Sequence, residues 1–214
     1  MKYPKRHIAG FSLIEAIVSI TLLVVAITGP LALSSQSLRA SREAKNELEA
    51  VHLAEEGIEI VRSVRDNNSS KETDLAGNPT GWLKGIVKLT GASDICEAPI
   101  GCSVDSTSHQ GSSEVWGNTT LKKCQSATNC PAANLYKNTT TGIYRQSSAV
   151  LTSPDVWQKS DYTRRVTVSV IDSSKKARVT SVVTYKSVSG ETRTITASTE
   201  LYNWFPCIDY DCPI

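Results

Sequence analysis

The chain has 214 residues, 40% hydrophobic and 21% charged, with a formal charge of +2, enough for one domain with a core and one long appendage. Lys2, Lys5 and Arg6 all precede Gly10, and without them 20 basic side chains face 21 acidic ones. That balance argues against a nucleic-acid-binding protein, which needs a concentrated basic surface.

Residues 1–10, MKYPKRHIAG, form a short basic head. From Phe11 to Leu33 the chain is almost wholly apolar, and Glu15 is its only charge. At about 1.5 Å per residue, a helix over 11–35 is long enough to cross a bilayer. The basic head stays in the cytoplasm, which places everything after Leu33 outside. A secretory signal peptide would carry its small-residue cleavage site after the apolar core. Here Gly10 comes before it, so a cut after Gly10 leaves the helix on the mature chain. Glu15 is the anomaly, because a carboxylate inside a membrane helix costs about 2.5–3.5 kcal/mol and calls for a partner. A cut after Gly10 supplies one, since Phe11 then gains a free amine one helical turn from Glu15. The helix macrodipole favours a carboxylate there as well.

The stretch GFSLIEAIVSITLLVVAITGPLAL resembles the N-terminus of type IV pilins and of the pilin-like subunits of type II secretion systems. The shared features are the basic leader, Gly10 at the cut, Phe11 after it, Glu15 and the apolar helix. The resemblance implies a leader, residues 1–10, removed by a membrane prepilin peptidase. It implies N-methylation of Phe11, and pairing of Glu15 with a terminal amine during filament assembly. The implied partners are that peptidase, identical or related pilin subunits, the inner-membrane assembly machinery, and membrane lipid before assembly. The implied location is a single-pass cytoplasmic membrane position with the C-terminal domain outside, then an extracellular or periplasmic filament. The expected function is that of a pilin or minor pilin. The alternatives are a pseudopilin of a type II secretion system and a membrane-anchored binding domain that never assembles. A plain signal anchor could let Glu15 snorkel to the interface, but has no need of a carboxylate at this offset. Gly29-Pro30 is a kink site, read equally well as a packing kink or as the stretch that loosens on assembly in the family.

Residues 36–68 read as an amphipathic helix. Ala44, Leu48, Val51, Ala54, Ile58, Val61 and Val64 recur at steps of three or four and form an apolar stripe. Gly57 weakens the helix but permits close packing of a sheet. Residues 66–70, DNNSS, end it. Continuous over 12–66, such a helix is about 80 Å long.

Residues 69–214 read as a globular β domain. RRVTVSVI (164–171), ARVTSVVTYK (177–186) and TRTITASTELY (192–202) are rich in β-branched residues and separated by hairpin-like turns. Val166, Val168 and Val170, and Ile195, Ala197 and Leu201, are expected to face the helix. WLKGIVKLT (82–90) is expected as a fourth strand, with Leu83, Val87 and Leu89 on one face. Residues 91–160, rich in Gly, Ser, Thr, Asn and Pro, read as an irregular insertion. The fold class is therefore α+β and pilin-like: a long N-terminal helix packed on a C-terminal antiparallel sheet.

Six cysteines fall into three close pairs, Cys96/Cys102, Cys124/Cys130 and Cys207/Cys212. None has C-x-x-C spacing, so no zinc or other metal site is expected. An even number in short loops points to disulfides formed outside the cytoplasm. Six cysteines allow 15 pairings, and proximity favours neighbours. The C-terminal pair also resembles, in position, the disulfide-bounded region of pilins, and LAEEGIEIVRSVRDNN and STELYNW look like flanks of some prepilin-type proteins.

No catalytic residue or cofactor is expected. His7, His52 and His109 stand in no H-E-x-x-H motif, and the chain has no G-x-S-x-G and no P-loop. Asp209 and Asp211, with Asp66 or Asn67, form no recognisable calcium loop. Asn67, Asn68, Asn118 and Asn138 open N-x-S/T triplets, which indicate exposure. Lys122-Lys123 and Lys175-Lys176 are small basic spots, too few for DNA binding.

Overall fold

The computed structural model describes residues 10–69, 81–87, 95–105, 121–130, 133–146, 156–172 and 175–203. The chain divides into two compact units, Met1–Lys45 and Asn46–Ile214. Helix α1 spans Leu13–Ser69, with Pro30 inside it. The first unit contains its apolar run, whose side chains are exposed throughout.

In the second unit the rest of α1 packs on an antiparallel sheet, giving the expected α+β layout. Strand β5 (Trp157–Asp172) is the axis of that sheet. Along one edge it pairs in turn with β6 (Lys176–Lys186), which pairs with β7 (Thr192–Tyr202) through eleven residue pairs without a bulge. β5 also pairs with β3 (Asn134–Asn138), which carries β4 (Tyr144–Gln146), and with β1 (Cys102–Val104), which carries β2 (Leu121–Lys123). Among the described residues the region expected to be an irregular insertion therefore supplies four short strands.

Alternation decides which face meets the helix. Tyr162, Arg164, Val166 and Val168 of β5 are buried, as are Ala177, Val179, Ser181, Val183 and Tyr185 of β6. The intervening positions, among them Thr163, Thr167, Thr180 and Thr184, lie on the other face. Val170, expected on the helix side, is exposed, because β5 by then runs past the end of the packed core. Ile195 and Ala197 are partly buried, and Leu201 is buried.

The helix meets the sheet through Ala50, Leu53, Ala54, Gly57, Ile58, Val61 and Val64. That stripe is rotated from the expected one: Ala44 and Leu48 are exposed and Val51 is half-buried. Small residues decide the seating. A methyl group on Gly57 would lie 2.7 Å from Ser181 Oγ and 3.2 Å from Val166 Cγ2, so the helix backbone rests on the sheet there.

The segment expected as a strand at 82–90 is not one. Gly81–Val87 is a helical turn, with Lys84 N–H donating to Gly81 O and Val87 N–H to Leu83 O. Gly85 has φ +77°, a conformation that breaks an extended run. Trp82, Leu83, Ile86 and Val87 all bury, a spacing of one helix face and not of a strand. Asn68 fixes this turn to the end of α1, donating to Trp82 O and Lys84 O at 3.3 and 2.7 Å. Residues 88–90, Leu89 included, lie outside the described residues.

Candidate anchoring helix and its clamp to the sheet

α1 begins at Leu13 with Glu15 in its first turn, where the unpaired N–H groups of a helix favour a carboxylate. Gly10 and Phe11 precede the helix, and Phe11 is 78% exposed. An 18-residue window of α1 is apolar enough to cross a membrane, and none of it is buried by the protein. The two hydroxyls that would trouble such a span are satisfied by the helix itself. Thr21 Oγ1 donates to Val18 O at 2.8 Å and Thr28 Oγ1 to Val24 O at 2.9 Å, as polar groups in lipid must. The backbone partner that Pro30 removes does not end α1, which continues for 39 further residues to Ser69.

Two carboxylates of α1 clamp the second unit's helix to its sheet. Glu49 receives the Lys137 ammonium at 2.7 Å, the Tyr144 hydroxyl at 2.6 Å and, through its other oxygen, the Tyr162 hydroxyl at 3.3 Å. Tyr162 Oη also lies 3.2 Å from Asn46 O. Lys137 stands 5.0 Å from the centre of the Tyr144 ring. Burial alone would raise the Glu49 carboxyl, but these donors overcome it and hold the group below its ordinary value. Burial, with the adjoining carboxylate, pushes both tyrosine hydroxyls up, so they remain donors.

One turn further, Arg164 reaches out of β5. Its side chain is 2% exposed. Nη1 donates to Glu56 Oε2 and to Leu53 O, both at 2.8 Å, Nη2 to Val104 O at 2.9 Å, and Nε to Gln146 Oε1 at 3.0 Å. Gln146 completes the circuit, accepting from Val104 N–H and donating to Arg164 O. One guanidinium thus joins α1, β1, β4 and β5. Burial lowers its pKa against the pull of Glu56, but a guanidinium stays charged over any physiological range.

Its neighbour Arg165 points to the opposite face, as strand alternation requires. Its guanidinium donates to Pro99 O at 3.3 Å and Ala127 O at 2.5 Å. Those carbonyls belong to two disulfide loops, Cys96–Cys102 and Cys124–Cys130. Each closed loop of this length contributes about 2–3 kcal/mol in a chain-entropy account. Gly101, φ +78°, lets the first loop lie against β5: a side chain there would meet Val166 O at 2.5 Å.

Leader residues 1–9, Cys207, Cys212, His109, Asn118, Asp209 and Asp211 lie outside the described residues. His52 is exposed beside Glu55. Lys122 and Lys123 are exposed on β2, and Lys176 is engaged by Glu200 at 2.7 Å. Asn67 donates to Ser63 O within α1. Among the described residues no three metal-ligating side chains converge.

Glu49 and Arg164 went unrecognised in the sequence. Arg164 left a signal: it stands in phase with Val166 and Val168, so it is an arginine on the buried face and needs a carboxylate. Glu49 and Glu56, seven positions apart on α1, share that face. Nothing in the sequence pointed from Glu49 to Lys137 and Tyr144.

No family model, curated protein or solved structure matches this chain.

The Glu49 clamp makes stability depend on pH. A carboxyl whose folded pKa lies below its unfolded value of 4.5 contributes fully above that value. The contribution is lost as pH falls through the folded one. Thermal unfolding of the full chain in detergent, followed from about pH 6 to about pH 3, should therefore decline more steeply for the native protein than for Glu49→Gln. Parallel curves for the two would show that the clamp does not titrate as described.

Proposed function

We propose that this chain is a structural subunit of a type IV pilus-like filament, a pilin or minor pilin, processed after Gly10 and assembled through α1. The observation that carries the reading is an exposed apolar helix whose one carboxylate, Glu15, stands in its first turn just behind Gly10-Phe11. In a lone chain that helix is a membrane anchor with an isolated charge. In a filament, the amine of one processed subunit and Glu15 of another neutralise each other among packed helices. The second unit, with its disulfides and its helix clamped to a sheet, is the part displayed outside.

A second reading, a subunit of a short secretion pseudopilus, uses the same helix and the same chemistry. Shearing surface filaments from cells that produce the chain distinguishes them. Recovery in the sheared fibres is the result expected of a pilin or minor pilin. Retention in the cell envelope, in complexes with related subunits, is the result expected of a pseudopilin. Retention in the membrane as a monomer would contradict both and leave a tethered domain.

A further inference from the structure

The end of the sheet where α1 first meets it carries aliphatic side chains that the core and the clamp leave unused. The β3–β4 turn lies at this end, since Asn138 pairs with Trp157, the first residue of β5. Lys137 and Tyr144, which flank that turn, are the residues Glu49 holds. The β6–β7 turn lies at the same end, because Thr184 pairs with Thr163 and the two strands then turn between Lys186 and Thr192.

Both turns have the small and polar residues turns require, with Gly142 at φ +74° and Gly190 at φ +86°. Yet Ile143 is 52% exposed, Val156 38% and Val188 46%. Their backbones are fixed: Ile143 O accepts from Asn138 N–H, Val156 O from Thr139 N–H, and the Val188 turn is closed by Gly190 N–H to Ser187 O. Exposed lysines, Lys159 and Lys186, accompany them. Apolar tips on fixed turns with cations beside them suit a lipid headgroup layer: the tips enter it and the cations meet phosphate.

Chain connectivity decides the occupant. Only residues 34–45 separate the apolar run from the second unit, and even fully extended they reach about 40 Å. The opposite end of the sheet also exposes aliphatics, Val170 and Ile171, but α1 does not enter there.

We propose that the rim formed by Ile143, Val156 and Val188 is a lipid-contacting surface that rests in the outer headgroup layer of the membrane holding α1. This rests on reading residues 11–33 as a membrane span. Before assembly the rim steadies the displayed unit on the bilayer, and extraction of the helix releases it.

The test places the photoreactive residue p-benzoylphenylalanine singly at position 143, 156, 188, 171 or 22 of the full chain. Each variant is reconstituted in vesicles of phosphatidylethanolamine and phosphatidylglycerol. After irradiation, intact mass reads covalent lipid adducts. Adducts are expected at 22 and at the three rim positions, and their loss at 171. Adducts at 22 with none at any rim position would overturn the rim and leave the span standing. Equal adducts at 171 and the rim would overturn it too, as indiscriminate contact. No adduct at 22 would overturn the span, and the rim with it.

Discussion

Replacing Arg164 with alanine should cost the second unit about 3–5 kcal/mol, the range for breaking a buried ion pair from one side. The substitution removes five polar contacts at once and leaves their acceptors behind. Glu56, Leu53 O, Val104 O and Gln146 Oε1 all lose the guanidinium that satisfies them. Leu53 O and Val104 O are far from water, so their desolvation is no longer offset. A domain of this size is stable by only about 5–15 kcal/mol, so the variant should unfold at much lower denaturant and its strands β1 and β4 should exchange amide hydrogens first. Glu56→Gln should be milder, because the Glu56 carboxylate is one-third exposed and glutamine still offers an acceptor. Denaturant titration of the two variants beside the native chain checks the order. Equal stability of Arg164→Ala and native protein would mean that the buried circuit is not what fastens α1 to the sheet.

Glu15→Ala should abolish entry into filaments while leaving leader removal intact. The substitution removes the only charge of the apolar run, so insertion becomes easier by about 2.5–3.5 kcal/mol on translocation scales. The anchor therefore survives the change. What fails is neutralisation of the amine on a neighbouring subunit, which would otherwise be buried among helices without a counter-charge. Comparing processed chain in the membrane with chain in assembled filaments reads the two steps separately. Normal filament content for Glu15→Ala would remove the assembly role of this residue. Failure of processing as well would shift the role of Glu15 to recognition by the peptidase.

The elements legible in the sequence were those long enough to repeat a period. α1 announced itself by an apolar run and then by steps of three and four, and β5, β6 and β7 by alternating β-branched residues. Strands β1, β2 and β4 have three residues each, too few to show a period of two, and β3 is interrupted by a bulge near its start. Gly81–Val87 misled because apolar residues at 82, 83, 86 and 87 suit a helical turn as well as a short strand, and Gly85 was the feature that should have decided it. The rotation of the α1 stripe was hidden for another reason. Seating depends on where backbone can touch sheet, at Ala50, Ala54 and Gly57, more than on where the largest apolar residues fall. The anchoring residues were legible because a lone charge in an apolar run has few uses. The clamp residues were less so, since the partners of Glu49 come from strands far along the chain.

The account turns on what becomes of the N-terminus. The decisive measurement is the intact mass and N-terminal fragment spectrum of the mature chain, isolated from cells with an active prepilin peptidase. The account predicts a chain that begins at Phe11 with a methylated α-amine, residues 1–10 removed. A mature chain that still begins at Met1 would contradict it, and would leave α1 an ordinary anchor with Glu15 unexplained.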